Sequence, residues 1–567
     1  MELRLKHLPL ALKLRPLRLQ SVLQATCVVA LASAISLSAL VAASPAQAQE
    51  DGLTTVKVEG VTIDPSEQRV LYTTHGGQWL WFDGWQLNRR GGELLRLFDE
   101  AEKEGLTPSR YMPDRIRARI RNATRDNLGD TEMLMTEMAI RYLEDLRLGR
   151  PVPLVMEEHV LRIGPESDFD PIAVLRRGMV NGDLARTMRR AAPQSDIYQA
   201  LRMELGEMIH QRDREDHEFI PGGRVMREGR EDPRVPALRR RLNADGYAAG
   251  WDEDTDTFFT ADMAAAVRDF QRDNGLSADG AVGPRTLAAL NKSVDDHIRT
   301  LVANMERYRW MQYDRTGKRV EMNIPETMLT AYDEYGTPEL EMRVIVGKPS
   351  RPTPLHSSVL NRVDFFPEWG APPTIVKEDI LPRVQRDVGY LSKYNYKVVE
   401  WRGGQPNELD PYSIDWSQYT GEERHLPFSF RRSSGPGNPL GSVRFMVEND
   451  IYIYLHDTSS PGKFKRKRRF LSSGCVRVQD PQGFANYILQ GNQEWDSSRI
   501  DEQFRRARES GLRTEYVGLR QKVPVHLMYF TAVLDETGRI KYLDDVYGWD
   551  RIIADSLIGP VGRQARL

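Results

Sequence analysis

Cysteine is almost missing from this chain: Cys27 and Cys475 are the only two in 567 residues. If the N-terminal run that holds Cys27 is removed or buried in a membrane, Cys475 has no partner for an internal disulfide. Long apolar runs are missing too, except that single N-terminal one, so the chain is not a multi-span membrane protein. Neither charge sign is in excess, with 79 basic residues against 81 acidic. That balance exerts no global pull on nucleic acid, and any polyanion-binding surface must be local. No second cysteine lies near Cys475 and no histidines form a close pair. This argues against a closed zinc site, and no cofactor or metal is expected.

What is present has an ordinary globular make-up, 40% hydrophobic and 28% charged, which sets aside disorder. The length exceeds what one hydrophobic core fills and suggests about three or four domains. Arg4, Lys6, Lys13, Arg15 and Arg18 precede an uncharged run from Gln20 to Gln49 that ends in "SPAQAQE". Ala46-Gln47-Ala48 has the small-x-small form of a leader-peptidase site, so residues 1–48 read as a secretory signal. The alternative is an uncleaved anchor, since Ala25 to Ala43 is nearly of spanning length. Either way the rest is expected outside the cytoplasm, in the periplasm, with membrane contact only through an uncleaved signal.

The remainder reads as a multidomain α+β chain. Residues 54–217 are helical in period: in "TEMLMTEMAIRYLEDLRLGR", Leu134, Met138, Tyr142 and Leu146 recur on one face and Gly149 is a plausible stop. The cluster "WLWFDGW", Trp79 to Trp85, can line a sugar groove but more often belongs to a core. Residues 231–291 read as three short helices, with Val235, Leu238, Leu242, Val267, Phe270 and Leu276 inward and Pro284 opening the third. On "LRRRLNADGY", "AVRDFQRDNGL" and "DGAVGPRTLAAL", this bundle resembles the peptidoglycan-binding domain of cell-wall enzymes. Residues 319–535 alternate apolar and polar residues between Gly and Pro turns, as a β-rich domain does. A loop- and helix-containing insertion interrupts them at about residues 370–438, and residues 536–567 follow as a C-terminal extension.

The solitary Cys475 sits in "SSGCVRV". An extended backbone there puts Cys475 and Arg477 on one face and Val476 and Val478 on the other. In "IYIYLH", Ile451, Ile453 and Leu455 take the core face, and Tyr452, Tyr454 and His456 take the other. Two such strands side by side can bring His456 to Cys475. A free thiol is only a few per cent ionised at neutral pH, and an adjacent imidazole can draw off its proton to give a thiolate–imidazolium pair. Gly474 permits close backbone approach, and its N–H or that of Cys475 can face a developing oxyanion. Arg477 can favour the thiolate or pair with a substrate carboxylate. The basic run "KFKRKRRF", Lys463 to Phe470, is either a local attractor for anions or a solvated loop.

"YLHDT", followed nineteen residues after its histidine by Cys475 in "SSGCVRV", resembles the signature of the L,D-transpeptidase catalytic domain, also called the YkuD domain. From Arg362 onward, "LNRVDFFPEWGAPPTIVKEDILPRVQRDVGYL" and "GPGNPLGSVRFMVEN" are similar to the large YcbB-like periplasmic members. The resemblance implies a YkuD-type catalytic domain, a capping insertion, a helical scaffold and a wall-binding bundle. It implies Cys475 as nucleophile and His456 as general base and acid, oriented by a backbone carbonyl rather than by Asp457. Gly474, Ser473, Arg477, Tyr454 and Trp369 would line the oxyanion and substrate site. The implied reaction transfers a peptidoglycan stem, with loss of D-alanine, through a Cys475 thioester to a second stem in a 3–3 cross-link, and carbapenems would label the thiol. The same nucleophile could instead serve water, giving a carboxypeptidase or endopeptidase, or a protein amine, tethering an envelope protein to the wall. A third reading is a non-catalytic wall-binding scaffold, against which the intact His456, Gly474, Cys475 and Arg477 speak. Stem peptides are the expected partners; nucleic acid is not.

Overall fold

Leu134, Met138, Tyr142 and Leu146 do line one buried face of a helix, α1 (Leu128–Leu148), as a 3.6-residue period requires. Gly149 ends it with φ +74°, a conformation open chiefly to glycine. The coordinates are a computed structural model that describes residues 55–559, except 126, 153–159, 163–167, 213–217, 251–255, 312, 314, 420–425, 451–452, 493 and 510 and the side chains of 160–162. The N-terminal run with Cys27 and the Ala48 cleavage point lie outside the described residues, as do Ile451 and Tyr452. Among the described residues no helix is long and apolar enough to cross a membrane. Of the tryptophan cluster, Trp81 and Phe82 are core residues, Trp79 is half-buried and Trp85 is exposed.

The three-helix bundle comprises α3 (Val235–Ala244), α4 (Ala261–Asp273) and α5 (Pro284–Leu290), numbered after the scaffold helix α2 (Asp196–Gln211). Val235, Leu238, Leu242, Val267 and Phe270 form its own core. Leu276 differs from expectation: it is half-buried and outside that core, because α4 has already ended at Asp273. A helix that the sequence reading left unassigned follows, α6 (Val294–Trp310), opened by a Ser293–Asp296 capping box. It buries charge. Arg307 Nη1 lies 2.6 Å from Asp550, and Arg309 Nη1 lies 2.8 Å from Glu306. Charges taken out of water require such partners. Asp550 belongs to α7 (Trp549–Ile558), so α6 is pinned to the C-terminal extension.

The strands that follow form a closed ring. They are β1 (Arg319–Asn323), β2 (Met328–Tyr332), β3 (Pro338–Gly347), β4 (Leu355–Phe365), β9 (Val443–Val447), β10 (Tyr454–His456), β12 (Val476–Val478) and β13 (Glu515–Met528). The pairing runs β9–β10–β12–β3–β2–β1–β13–β4, and β4 returns to β9, which leaves no open edge among the eight. β11 (Phe470–Ser472) adds to β3, and backbone residues 160–162 of the scaffold add to β4. Val320, Leu329, Val344, Val363, Phe445, Leu455, Val476, Val478 and Val525 fill the interior. This apolar cluster continues through α6 into α1, so scaffold and barrel share one core.

The insertion has a core of its own. Its four strands, β5 (Trp369–Gly370), β6 (Lys397–Arg402), β7 (Gln405–Leu409) and β8 (Phe428–Arg432), pair in the order β5–β8–β6–β7. Val376, Ile380, Leu381, Val384, Leu391, Val398 and Phe430 pack beneath them, each such burial contributing about 1.5–3 kcal/mol. Tyr454 and the partly buried Cys475 pack against this same cluster. The insertion therefore sits as a cap over the outer face of β10 and β12.

Candidate active site

β10 and β12 run parallel, with Leu455 opposite Val476 and His456 opposite Arg477. Leu455, Val476 and Val478 point into the barrel, so strict alternation turns Tyr454, His456, Cys475 and Arg477 to the other face. His456 and Cys475 are diagonal neighbours there. Cys475 is half-buried as a residue, with its sulfur enclosed between the barrel and cap cores.

The Cys475 loop is braced from behind. Ser472 Oγ donates to the Cys475 carbonyl at 2.6 Å and accepts from the Gly474 N–H at 3.3 Å. Thr353 Oγ1 donates to the Gly474 carbonyl at 2.7 Å. Gly474 has φ +115°, which any Cβ would strain. Of the two N–H groups the sequence offers to an oxyanion, that of Gly474 is engaged by Ser472 here. Ser473 is exposed, but its Oγ accepts from Arg351 at 2.9 Å.

His456 is held by its own backbone. Nδ1 lies 2.5 Å from the Asp457 carbonyl, an acceptor, so Nδ1 carries the proton and Nε2 the lone pair. The Asp457 carboxylate instead accepts from the N–H groups of Ser442 and Thr458, at 2.8 and 2.6 Å. It braces the turn and takes no part in orienting the ring.

Burial works against the expected thiolate–imidazolium pair. Burial, then Arg477 and Arg444, push His456 down to about 3. Burial pushes the Cys475 thiol up, although hydrogen bonds from Tyr454 and the charges of Arg477 and Arg444 oppose the rise. An ion pair would shift both groups the other way. Desolvation favours the neutral form of each group. One consequence is testable: the rate of Cys475 alkylation by iodoacetamide should climb with pH beyond the ordinary thiol range, with no step near 6.5. A plateau already reached at neutral pH would mean a stabilised thiolate.

Arg477 is mostly buried, and its Nε has no hydrogen-bond partner among the described residues. Burial lowers its pKa, opposed by the Cys475 thiol. Arg444, by contrast, is paired with Asp364 at 2.6 Å, and its guanidinium lies 5.3 Å from the Tyr454 ring centre. Tyr454 is buried beside the sulfur, with its ring 5.8 Å from that of His456. Trp369 departs from expectation. It is 6% exposed in the cap core, 6.0 Å from the Tyr396 ring, because its strand β5 pairs with β8 and turns the indole inward. It builds the cap rather than lining a pocket.

The basic run divides residue by residue. Lys463 is lowered by burial and then by Arg477 and Arg466, which places it toward the site. Lys467 reaches Ser277 of the bundle at 2.6 Å. Arg469 is buried and donates to the carbonyls of Val344 and Thr327, at 3.2 and 3.1 Å. Arg351, Thr353 and Arg444 went unnoticed in the sequence; nothing local to them signals a contact made more than a hundred residues away, or across a sheet.

Three family models match this chain. Residues 317–496 match the L,D-transpeptidase catalytic domain, residues 231–290 the "Putative peptidoglycan binding domain", and residues 66–205 a scaffold domain. A protein of Haemophilus influenzae named "Putative L,D-transpeptidase" is 36% identical over 253 residues, which make up 45% of this chain and 48% of that protein. The chain thus spans about half the length of that relative. Solved L,D-transpeptidase structures from Xylanimonas cellulosilytica and Stackebrandtia nassauensis are 16% and 13% identical. They cover 54% and 53% of this chain and 99% and 94% of their own, with TM-scores of 0.16 and 0.18, values too low to bear on the fold. The chain carries an L,D-transpeptidase (YkuD) catalytic domain joined to a peptidoglycan-binding domain.

Proposed function

We propose that the protein is a peptidoglycan L,D-transpeptidase acting outside the cytoplasm, with Cys475 as nucleophile and His456 as the proton carrier. The observation that carries this reading is the shared face of β10 and β12, which sets Cys475 diagonal to His456, an imidazole whose Nδ1 proton is held by the Asp457 carbonyl so that Nε2 is the nitrogen able to take a proton. As Sγ attacks the amide carbonyl between the third residue of a donor stem and its terminal D-alanine, Nε2 takes the thiol proton. That proton passes to the departing amine when the C–N bond breaks, leaving a thioester. An amine of a second stem then displaces the sulfur, giving up its proton through the same nitrogen, and a 3–3 cross-link results.

Starting neutral suits this sequence. Nucleophile and base need not be ionised beforehand; the proton moves as the new bond forms, which is the regime of general base catalysis. Arg477, a mostly buried cation on the Cys475 face, supplies the complement to a donor-stem carboxylate. Lys463 adds positive potential on the same side. The bundle, tied to the catalytic domain through Lys467 and Ser277, would bring wall polymer to this face.

Incubation with disaccharide-tetrapeptides, with products resolved by mass spectrometry, tests the reading. Dimers bearing a 3–3 link and an equal yield of free D-alanine are expected. Tripeptide alone would show that water is the acceptor and would overturn the cross-linking claim.

A further inference from the structure

The loop between β3 and β4, residues 348–354, touches three parts of the molecule. It leaves β3 at Gly347, where a Cβ would lie 2.3 Å from the Arg351 carbonyl oxygen, so only glycine admits the turn. The Lys348 N–H donates to the Ser472 carbonyl at 3.0 Å, and Thr353 holds the Gly474 carbonyl. Tyr547 of the C-terminal extension donates to the Gly347 carbonyl at 2.7 Å. This fastens the loop to the Cys475 segment on one side and to the body of the protein on the other.

Arg351 extends from that loop to the cap. Its side chain is 8% exposed. Nε donates to Glu378 Oε2 at 2.9 Å, joined by Nη2 at the same oxygen; Nη1 donates to Asp379 Oδ2 at 2.5 Å and to Ser473 Oγ at 2.9 Å. One guanidinium therefore clasps two cap carboxylates and the hydroxyl that precedes Gly474-Cys475. The carboxylates lie on the helical turn Val376–Ile380, whose Val376 and Ile380 anchor in the cap core. That core packs on Tyr454 and Cys475, so displacing the cap uncovers the sulfur.

We propose that Arg351 is a positioning residue: it latches the cap onto the Cys475 loop, and the latch opens to admit a stem peptide and closes for the reaction. The reaction named here rests on the proposed function; the latch itself does not. Charge-assisted bonds of this fork geometry hold a defined closed state. Because Glu378 and Asp379 remain 51% and 32% exposed, the attraction is open to screening by salt. A latch of this kind is firm at rest and still able to open.

The test uses the full chain and neutral iodoacetamide, whose reaction with Cys475 requires no transpeptidase activity. In the Glu378→Gln/Asp379→Asn variant, Cys475 should be alkylated about tenfold faster than in the wild type, the size expected for loss of charge-assisted hydrogen bonds. Added salt should speed alkylation of the wild type and leave the variant unchanged, a response that simple loosening of the fold would not produce. Arg351→Lys, which keeps the charge without the fork, should fall between the two. Equal rates and equal salt responses in variant and wild type would overturn the latch, even if cross-linked dimers form. Faster, salt-insensitive alkylation in a protein that makes no dimers would uphold the latch and defeat the proposed reaction.

Discussion

A Cys475→Ala variant should still bind wall fragments yet lose at least about a thousandfold in acyl transfer, the scale seen when a covalent nucleophile is removed. The prediction follows from how little else at this face can form a covalent link. Ser473 accepts a hydrogen bond from Arg351, and Ser472 is committed on both sides to the loop backbone. The Tyr454 phenol is buried and its pKa is raised further by desolvation, so it is a poor substitute. Stability should fall only modestly, since the change removes one side-chain heavy atom from the contact between barrel and cap. Initial rates of D-alanine release, with thermal midpoints measured alongside, check both parts. Turnover within tenfold of the wild type would mean that another group attacks.

Replacing His456 with glutamine should reduce acyl transfer by about a hundredfold to ten-thousandfold, the range of a positioned general base. The loss should be large because the thiol cannot ionise cheaply by itself: burial holds it above its usual range, so the proton must leave as the bond forms. Glutamine retains polarity and rough reach but has no lone pair of suitable basicity at the Nε2 position. The deficit should shrink as pH rises, because hydroxide progressively generates the thiolate that the imidazole no longer assists. A deficit that stays constant with pH would argue that His456 serves packing instead, through its contact with Tyr454.

The sequence discloses these elements unevenly, for physical reasons. Where one face alone is buried, pattern and packing coincide: Leu134 to Leu146 on α1, the bundle core around Val267, and the inward Val476 and Val478 beside the outward Cys475 and Arg477. Alternation in "YLH" and "GCVRV" was enough to place four site residues on one face. Helix α6 escaped notice because its buried side includes Glu306, Arg307 and Arg309, which blur an apolar period. Ring closure through β4 and β9 joins strands nearly eighty residues apart in sequence, and no local pattern encodes it. The resemblance places Trp369 with the capping insertion, but strand pairing within the cap decides where its indole points. Residue types suggest an ion pair at Cys475, whereas the burial that opposes it comes from packing that no local pattern encodes. The Arg351 contacts with Glu378, Asp379 and Ser473 bring together three segments that carry no shared signature.

The proposed reaction depends most on a covalent bond at one sulfur. Brief incubation of the wild-type protein with a tetrapeptide donor, without an acceptor, followed by acid quench, intact-mass measurement and peptide mapping, tests it directly. The predicted result is a mass gain equal to the donor less D-alanine, carried on the peptide that contains Cys475 and lost on treatment with hydroxylamine. An unmodified Cys475 peptide while D-alanine is being released, or an adduct on any other residue, would contradict it.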